Sequence, residues 1–272
     1  MRDDECVQFL QWALPQLRMR WPGIRKVRGQ VCKRVTRRMT QLGIDAATDY
    51  RDYLGRHAVE WWVLDKLCQV TISRFYRDRL MYRFLALEVL PNLAQQVLNQ
   101  GEDCLRIWSV GCGSGEEPYT IALIWRLQMQ SQFPGLSLRL LATDTNPAMR
   151  QRVADACYAY SSVKNLPADW CDMAFTQDAE RYCLKPEYRN DIQFMQQDVR
   201  EINPTETFDL VLCRNLVFTY FEEGLQRSTL DRMRAVLKPD GALVIGIHER
   251  LPEGVGGFSE WSAKLRICRK AS

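Results

Sequence analysis

The sequence predicts an α/β fold in which helices cover both faces of a mostly parallel sheet, preceded by an all-helical segment. Residues 1–70 repeat apolar side chains at helical spacing and show no strand alternation. From Cys104 onward the pattern becomes a strand, a glycine turn and a helix, and strands then alternate with helices. Strands alternating with helices are typical of a parallel sheet whose connecting helices pack on its two faces.

The order of elements follows from the apolar pattern and from the positions of glycine and proline. We expect helices at 78–99, 116–129, 146–156 and 224–237, and strands at 105–110, 136–143, 192–197, 208–214 and 242–247. The polar stretch 158–190 is predicted to be irregular, and Lys-Pro-Asp-Gly at 238–241 is predicted to be a turn. We divide the chain into a helical N-terminal domain (1–70), a linker with a long helix (71–99) and an α/β domain (100–272).

Length and composition exclude several classes of protein. The 272 residues include 37 basic and 33 acidic side chains, a net charge of +4, and 46% are apolar. This apolar content is enough to bury a core and excludes a disordered chain. No run of 18 apolar residues occurs, so we expect no membrane insertion. The acidic start at residues 3–5 lacks the apolar core of a signal peptide, and we expect a cytoplasmic protein.

Cysteine and histidine usage argues against a metal centre. The ten cysteines form no C-x-x-C pair, and the chain has two histidines far apart in sequence. Zinc sites need clustered thiolates and imidazoles, so we expect no metal. In a reducing compartment the cysteines are interpreted as small buried core residues.

The glycine turn after the first strand is the strongest local signal for a ligand. Gly111 and Gly113 let a ligand approach the backbone closely, because no Cβ intervenes. The acids Glu116 and Glu117 follow at once and would repel a pyrophosphate, the usual ligand of such turns. S-adenosylmethionine fits instead, since it carries a sulfonium, an ammonium and a ribose but no phosphate. Asp144, at the end of the second strand, is placed to accept hydrogen bonds from ribose hydroxyls.

Five ordered motifs resemble the CheR family of chemotaxis receptor methyltransferases. The run 111–120, Gly-Cys-Gly-Ser-Gly-Glu-Glu-Pro-Tyr-Thr, resembles the family signature G-x-x-[ST]-G-E-E-P-Y-[ST]. The other four matches are Arg-Phe-Tyr-Arg at 74–77, Ala-Thr-Asp-Thr at 142–145, Cys-Arg-Asn at 213–215 with Tyr-Phe at 220–221, and Leu-Val-Ile-Gly at 243–246 with Glu249. The resemblance covers nearly the whole chain.

The resemblance implies a Rossmann-like class I methyltransferase domain behind a small helical domain, using S-adenosylmethionine and releasing S-adenosylhomocysteine. It implies methyl transfer to the γ-carboxylate of glutamates on receptor signalling helices. The cofactor-binding residues that it implies are Thr71, Ser73 and Arg77 from the linker side, Glu116 and Asp144 for the methionine and ribose parts, Asp198 and Val199 around the adenine, and Arg214 and Asn215 closing the pocket.

Three departures from the family pattern lie where the acceptor should enter. Asn215 and Tyr220 are five residues apart, whereas the family spacing is four, so Thr219 takes the aromatic position unless the strand end bulges. The last motif reads Gly-Ile-His-Glu249 where the family has G-H-S-E. The segment from 175 to 192 leaves room only for a short inserted hairpin. A small-molecule acceptor, such as a carboxylic acid or a thiol, therefore stays open, as does a catalytically idle partner-binding module.

The chemistry of a carboxylate acceptor predicts the catalytic residues. A carboxylate is ionised at pH 7 and needs no general base. Arg77 is predicted to orient it through a bidentate fork, and Tyr220 to donate one hydrogen bond. The alternatives are a surface ion pair of Arg77 with Asp78 or Glu88, and a core aromatic role for Tyr220.

A basic segment between 24 and 38 contains seven cations and no acid. Arg34, Arg37 and Arg38 share one helix face, which we interpret as a docking surface for an acidic protein helix that carries methylatable glutamates. The alternative is a solvated face. No nucleic-acid partner is expected, because the α/β domain is nearly charge-balanced and lacks a groove of aromatic and basic residues. We expect a monomer.

Overall fold

The computed structural model describes residues 1–201 and 204–271. The chain divides into two compact units, Met1–Thr71 with Leu216–Gln226, and Ile72–Asn215 with Arg227–Ser272. The sequence-based division at residues 70 and 99 assigns each domain one continuous stretch of chain. The first unit of the structure also includes residues 216–226, which are distant in sequence. The two units are described separately below.

The first unit is helical, as the apolar spacing predicts. Its helices are α1 (Asp3–Gln16), α2 (Trp21–Arg25), α3 (Arg28–Gln41), α4 (Ala47–Arg56), α5 (Ala58–Cys68) and the later α12 (Val217–Tyr220). Apolar side chains from α1, α3, α4 and α5 form one core, in which the rings of Phe9 and Tyr50 lie 5.5 Å apart. This burial provides the main stabilisation, because helices of this length are marginal alone.

The segment 216–226 joins this unit through close backbone contacts. The amide of Arg20 donates to the Tyr220 carbonyl at 2.8 Å, and Arg18 pairs with Glu222 at 2.7 Å. A Cβ on Gly23 would overlap the Thr219 carbonyl oxygen, so the approach of α2 to α12 requires glycine. The ring of Tyr220 packs against the helical core.

The second unit contains the predicted parallel sheet. Its elements before the inserted region are α6 (Arg79–Phe84), a π turn (Leu85–Val89), α7 (Leu90–Asn99), β1 (Cys104–Val110), α8 (Glu116–Ile124), a π turn (Trp125–Met129), β2 (Ser137–Asp144) and α9 (Ala148–Asp155). Those after it are β6 (Ile192–Gln196), β7 (Phe208–Cys213), α13 (Glu223–Val236), β8 (Leu237–Ile245), β9 (Phe258–Ser262) and β10 (Ile267–Lys270).

The sheet has the order β6-β2-β1-β7-β8-β10-β9. The first five strands in this order run parallel, and β10 is antiparallel to both of its neighbours. After β1, the strands β2 and β6 are added on one side of it, and β7 then pairs with its other side. The carboxyl ends of β1 and β7 therefore form the switch point, where such sheets bind ligands.

Two sequence predictions about local structure are wrong. Residues 158–190 are largely ordered as β3 (Cys157–Ala159), α10 (Tyr160–Val163), α11 (Ala168–Ala174), β4 (Phe175–Asp178), β5 (Arg181–Leu184) and a 3₁₀ turn (Pro186–Tyr188). These strands form a small antiparallel sheet, β3-β5-β4, which contains the expected short hairpin. Its strands have one polar face and bury few residues each, so their apolar pattern is weak. The stretch 238–241 is a bulge within β8, with Asp240 at φ 57°, rather than a turn.

The cysteine prediction is wrong for four residues. Cys6 bonds to Cys32 between α1 and α3, and Cys157 bonds to Cys183 between β3 and β5. Each pair is 26 residues apart in sequence, and only the packing of helices and the register of the strands brings the sulfurs together. No described helix is both long enough and apolar enough to cross a membrane.

Candidate functional site

The glycine turn lies at the carboxyl end of β1. The amides of Gly111 and Cys112 donate to the Thr143 carbonyl at 2.8 and 2.9 Å, which ties the turn to β2. Gly111, Gly113 and Gly115 have φ values of 70°, 57° and 94°, a region that L side chains rarely adopt. Glycine is therefore needed here for backbone conformation as well as for access.

Asp144 closes the turn from the neighbouring strand. Its Oδ2 accepts the Gly113 amide at 3.0 Å and its Oδ1 accepts the Asn146 amide at 2.9 Å. These two bonds fix the carboxylate beside the turn. Gln197, which follows β6, donates its amide to the Asp144 carbonyl at 3.1 Å. The carboxyl ends of three adjacent strands thus meet at one edge, while the ribose role of Asp144 stays a prediction.

Glu116 is the first residue of α8 and is only 3% exposed. Its Oε1 accepts a hydrogen bond from the Ser162 hydroxyl at 3.4 Å. Within the described residues, its buried Oε2 has no hydrogen-bond partner. Burial raises the pKa of this carboxyl, and hydrogen bonds from its own backbone and from Ser73 partly oppose that rise. A buried carboxylate oxygen without a donor suits an ammonium ligand, because an unpaired buried charge is costly.

The linker places Arg77 between two residues in left-handed conformation. Tyr76 has φ 54° and Asp78 has φ 65°, both uncommon for non-glycine residues. The Arg77 Nη1 donates to the Ile72 carbonyl at 2.8 Å, and the side chain is half-buried. Asp78, one of the two acids considered as partners for Arg77, instead binds Arg214. Local strain of this kind persists where the surrounding structure enforces it.

Arg214, after β7, is the centre of a buried ion cluster. Its Nη2 lies 2.5 Å from Asp78 Oδ2, and its Nη1 lies 2.9 Å from Glu117 Oε2 and 3.1 Å from the Tyr82 hydroxyl. Ser109 donates to the other oxygen of Glu117 at 2.8 Å. The cluster connects the linker, α8 and the end of β7. A direct contact of Arg214 with the cofactor stays a prediction.

Asn215 is held by Glu249, the acid of the last family motif. The buried Glu249 Oε2 accepts the amides of Asn215 and Gly246 at 2.9 and 2.6 Å. This carboxylate therefore fastens the carboxyl end of β8 to the loop after β7, where Asn215 adopts φ 55°. Neither this contact nor that of Ser162 with Glu116 was predicted, because each joins residues more than 30 positions apart in sequence.

The predicted adenine residues lie after β6. Val199 is buried, and the carboxylate of Asp198 pairs with the guanidinium of Arg200 at 2.7 Å. Gln197 is also buried, and its Oε1 has no partner among the described residues. The roles of Asp198 and Val199 at the adenine stay predictions.

The remaining predicted residues belong to the first unit. Thr71 is exposed at its end, and Tyr220 packs on its helical core, so their roles at the pocket stay predictions. The arginines of the predicted docking surface are partly engaged in contacts within the unit. Arg38 forms a bidentate pair with the buried Glu60 at 2.9 and 2.7 Å, and Arg34 donates to the Gln69 carbonyl at 2.7 Å. Arg37 is exposed.

Comparison with known proteins identifies the family. The CheR methyltransferase, SAM-binding domain, matches residues 71–267, which include the whole glycine turn and its acids. The chain belongs to this family. It carries the family's cofactor domain on the sheet described above and is an S-adenosylmethionine-dependent methyltransferase.

Three relatives show how far the similarity extends. A chemotaxis protein methyltransferase of Borreliella burgdorferi is 28% identical, over 77% of this chain and 75% of its own length. One of Listeria monocytogenes is 30% identical, over 68% and 67%. An uncharacterized 104.1 kDa protein of Rhodobacter capsulatus is 30% identical over 88% of this chain, which spans only 25% of that protein. Among solved structures, the N-methyltransferase NodS of Bradyrhizobium japonicum gives a TM-score of 0.34 at 14% identity, covering 68% of this chain and 98% of NodS.

Proposed function

We propose that this protein methylates glutamate side chains of chemoreceptors, using S-adenosylmethionine as the methyl donor, in the cytoplasm. The observation that carries the proposal is the family match over 71–267, since several relatives are named chemotaxis protein methyltransferases. The buried site supports it independently through Glu116, whose chemistry suits the donor. The departures near the acceptor entrance do not by themselves favour a small-molecule acceptor.

The donor is assigned to groups around the glycine turn. When bound, S-adenosylmethionine supplies a methyl group made electrophilic by its sulfonium. We assign its ammonium to the unpartnered oxygen of Glu116 and its ribose to Asp144, whose carboxylate is already fixed by two backbone amides. Preformed acceptors of this kind lower the ordering cost of binding.

The acceptor is assigned to Arg77 of the second unit. A glutamate γ-carboxylate has a pKa near 4.3, so its lone pair is available at neutral pH. Arg77 would hold that carboxylate in one orientation through its planar fork. The left-handed residues on either side and the bond to the Ile72 carbonyl limit where its guanidinium can lie.

Replacing Arg77 tests this role. Arg77→Lys keeps the charge but loses the fork, and misplacement by about 1 Å costs around a hundredfold in rate. We expect kcat to fall about that far, while the affinity for S-adenosylhomocysteine, measured by calorimetry, falls much less. Arg150→Lys, an exposed arginine elsewhere in the second unit, is the matched control. A lysine variant with full turnover would remove Arg77 from the chemistry.

The acceptor class is tested by labelling and by pH. Incubation with methyl-labelled S-adenosylmethionine and a purified cytoplasmic receptor fragment should give alkali-labile label on protein, because carboxyl methyl esters hydrolyse in base. The rate should be nearly flat from about pH 6.5 to 8.5 for a carboxylate acceptor. A rate rising through about pH 8.5 would indicate a thiol. Label confined to small molecules from a lysate would overturn the proposal.

A further inference from the structure

The first strand of the small antiparallel sheet contacts the proposed cofactor site, by which we mean the glycine turn at 111–115 and Glu116. The hydroxyl of Tyr158 on β3 donates to the Ser114 carbonyl at 2.8 Å. Tyr158 is only 5% exposed, and its hydroxyl oxygen would lie 3.3 Å from a Cβ placed on Gly115. The position of β3 therefore helps to fix the backbone of the glycine turn.

The short helix α10, which follows β3 directly, reaches the second part of the proposed cofactor site. The hydroxyl of Ser162 donates to Glu116 Oε1 at 3.4 Å, and the Ser162 carbonyl accepts the Phe75 amide at 3.0 Å. The Phe75 ring packs edge-on against the Tyr158 ring, with centroids 4.8 Å apart. One short segment, residues 157–163, thus contacts the glycine turn, Glu116 and the linker.

Backbone pairing alone holds this segment weakly. Strand β3 has three residues and lies at the edge of the small sheet, where it pairs only with β5. A strand pairing this short contributes little stability by itself. The disulfide joins Cys157 to Cys183, which face each other in the register of β3 and β5. This covalent link limits how far β3 can move away from β5.

The disulfide and the cofactor contact lie on opposite faces of β3. Side chains alternate along a strand, so Tyr158 points to one face, and Cys157 and Ala159 point to the other. Tyr158 is buried, Ala159 is exposed, and Cys157 and Cys183 are both half-buried. A reductant in solvent can therefore reach the sulfurs without entering the proposed cofactor site.

We infer that the Cys157–Cys183 disulfide makes the affinity for the cofactor depend on redox state. With the bond formed, Tyr158 and Ser162 are held as positioning residues and the site is preformed. With the bond reduced, β3 leaves its place in part of the population, and the apparent affinity falls with the fraction that stays in place. The inference rests on the part of the proposed function that assigns the methyl donor to this site, and it is independent of the acceptor.

The redox step is a thiol–disulfide exchange. A thiolate of a dithiol attacks one sulfur of the pair, which breaks the S–S bond and leaves a mixed disulfide. The second thiol of the reductant displaces the remaining cysteine. The reductant ends as a cyclic disulfide, and Cys157 and Cys183 end as thiols that carry its two protons. Oxidised glutathione reverses the step, taking two electrons and two protons to give two molecules of reduced glutathione.

Calorimetry with S-adenosylhomocysteine tests this dependence on the full-length protein, purified without reductant and then treated with dithiothreitol. Alkylation and mass spectrometry establish which cysteines are free in each state. We expect binding about tenfold weaker after reduction, as when one tenth of the population keeps β3 in place. Oxidised glutathione, added after the dithiothreitol is removed, should restore the affinity.

Two double variants separate the two disulfides. Cys157→Ser with Cys183→Ser should bind S-adenosylhomocysteine as weakly as the reduced wild type and should not respond to dithiothreitol. Cys6→Ser with Cys32→Ser, the matched control, removes the disulfide of the first unit. It should bind like the oxidised wild type and keep the full loss of affinity on reduction.

Tyr158→Phe tests the positioning role. Losing the hydroxyl should weaken binding a few-fold in the oxidised protein and make the further loss on reduction smaller, because one of the contacts that reduction disturbs is already absent. Tyr160→Phe, at a side chain that is 62% exposed, should keep both the affinity and the redox response of the wild type. A tyrosine that only stabilised the fold would leave the redox response unchanged.

Several results would overturn the inference. These are equal affinity in the oxidised and reduced wild type, and free thiols at Cys157 and Cys183 in protein purified without reductant. Thermal unfolding followed by circular dichroism is measured in both states. A reduced protein without a cooperative transition would also overturn the inference, because the bond would then maintain the fold rather than the site.

The same measurements separate this inference from the proposed function. Absence of S-adenosylhomocysteine binding in both states overturns the assignment of the cofactor to this site and the inference with it. A redox-dependent affinity in a protein that methylates no receptor fragment supports the inference and contradicts only the proposed acceptor.

Discussion

Glu60 in the helical unit and Glu116 in the second unit are equally inaccessible to water but have opposite electrostatics. Their exposed fractions are 4% and 3%. The Arg38 guanidinium holds the pKa of Glu60 below its ordinary value of 4.5, although burial opposes this. Burial raises the pKa of Glu116 above the same value. The direction in which the pKa of a buried acid shifts therefore depends on its hydrogen-bonding and charged partners, and not on its degree of burial alone.

The difference distinguishes a structural acid from a binding acid. Glu60 accepts two hydrogen bonds from Arg38 and one from the Tyr50 hydroxyl at 2.8 Å. Because both of its oxygens have donors within the protein, the carboxylate stabilises the packing of α3 on α5. Glu116 receives hydrogen bonds from its own backbone, from Ser73 and from Ser162, but none from an arginine or lysine, and its Oε2 has no partner among the described residues. A site that lacks a donor inside the protein is one that a ligand can complete.

Removing Glu60 should give the largest effect on stability. Glu60→Ala leaves Arg38 partly buried without its carboxylate and leaves the Tyr50 hydroxyl without its acceptor. Breaking one side of a buried pair costs about 3–5 kcal/mol, which we expect as a loss in the free energy of unfolding. Urea denaturation followed by circular dichroism measures it. The exposed Glu187→Gln should change it by less than about 0.5 kcal/mol. If Glu60→Ala lost equally little free energy of unfolding, the Arg38–Glu60 pair would make no net contribution to stability.

Changing Glu116 should affect ligand affinity and leave folding intact. Glu116→Gln removes the charge that we assign to the donor's ammonium, a charged hydrogen bond contributing about 1.5–3 kcal/mol. We expect the affinity for S-adenosylhomocysteine to fall about ten- to hundredfold by calorimetry. The melting temperature without ligand should not fall, because the lost oxygen had no partner. Unchanged affinity, or a marked loss of stability without ligand, would make Glu116 a structural acid like Glu60.

The smallest expected effect is a pH dependence of opposite sign at the two acids. The folded pKa of Glu60 is lowered, so its stabilisation is present above pH 4.5 and is lost as pH falls through the folded pKa. The folded pKa of Glu116 is raised, so its ionisation destabilises the ligand-free protein as pH rises from 4.5 through the folded pKa.

Unfolding measured from pH 4 to 8 checks both signs. Glu116→Gln should be slightly more stable than wild type at pH 8, and this difference should vanish near pH 4. The difference between wild type and Glu60→Gln should instead be largest at pH 8. Parallel pH curves for the two variants would show that the two acids do not differ as described.

The sequence predicted those parts of the site whose residues are adjacent in the chain. Positive φ at Gly111, Gly113 and Gly115 is required by the sharp turn that follows β1, and the acids come directly after it. The strands β1 and β7 were predicted because each is a largely buried apolar run. The small sheet at 157–184 was missed, since its short strands bury little and give a weak apolar pattern. The hairpin of β9 and β10 was missed for the same reason.

Sequence by itself determined the glycine turn, the acids that follow it, the helical first segment and the family, because each depends on residue types at fixed local spacing. Only the tertiary structure decided which charged and sulfur side chains have partners. Arg38 meets Glu60 across 22 residues, Arg214 meets Asp78 across 136, and each disulfide spans 26. Burial and pairing of such groups depend on how distant segments pack, and local spacing carries no information about that packing.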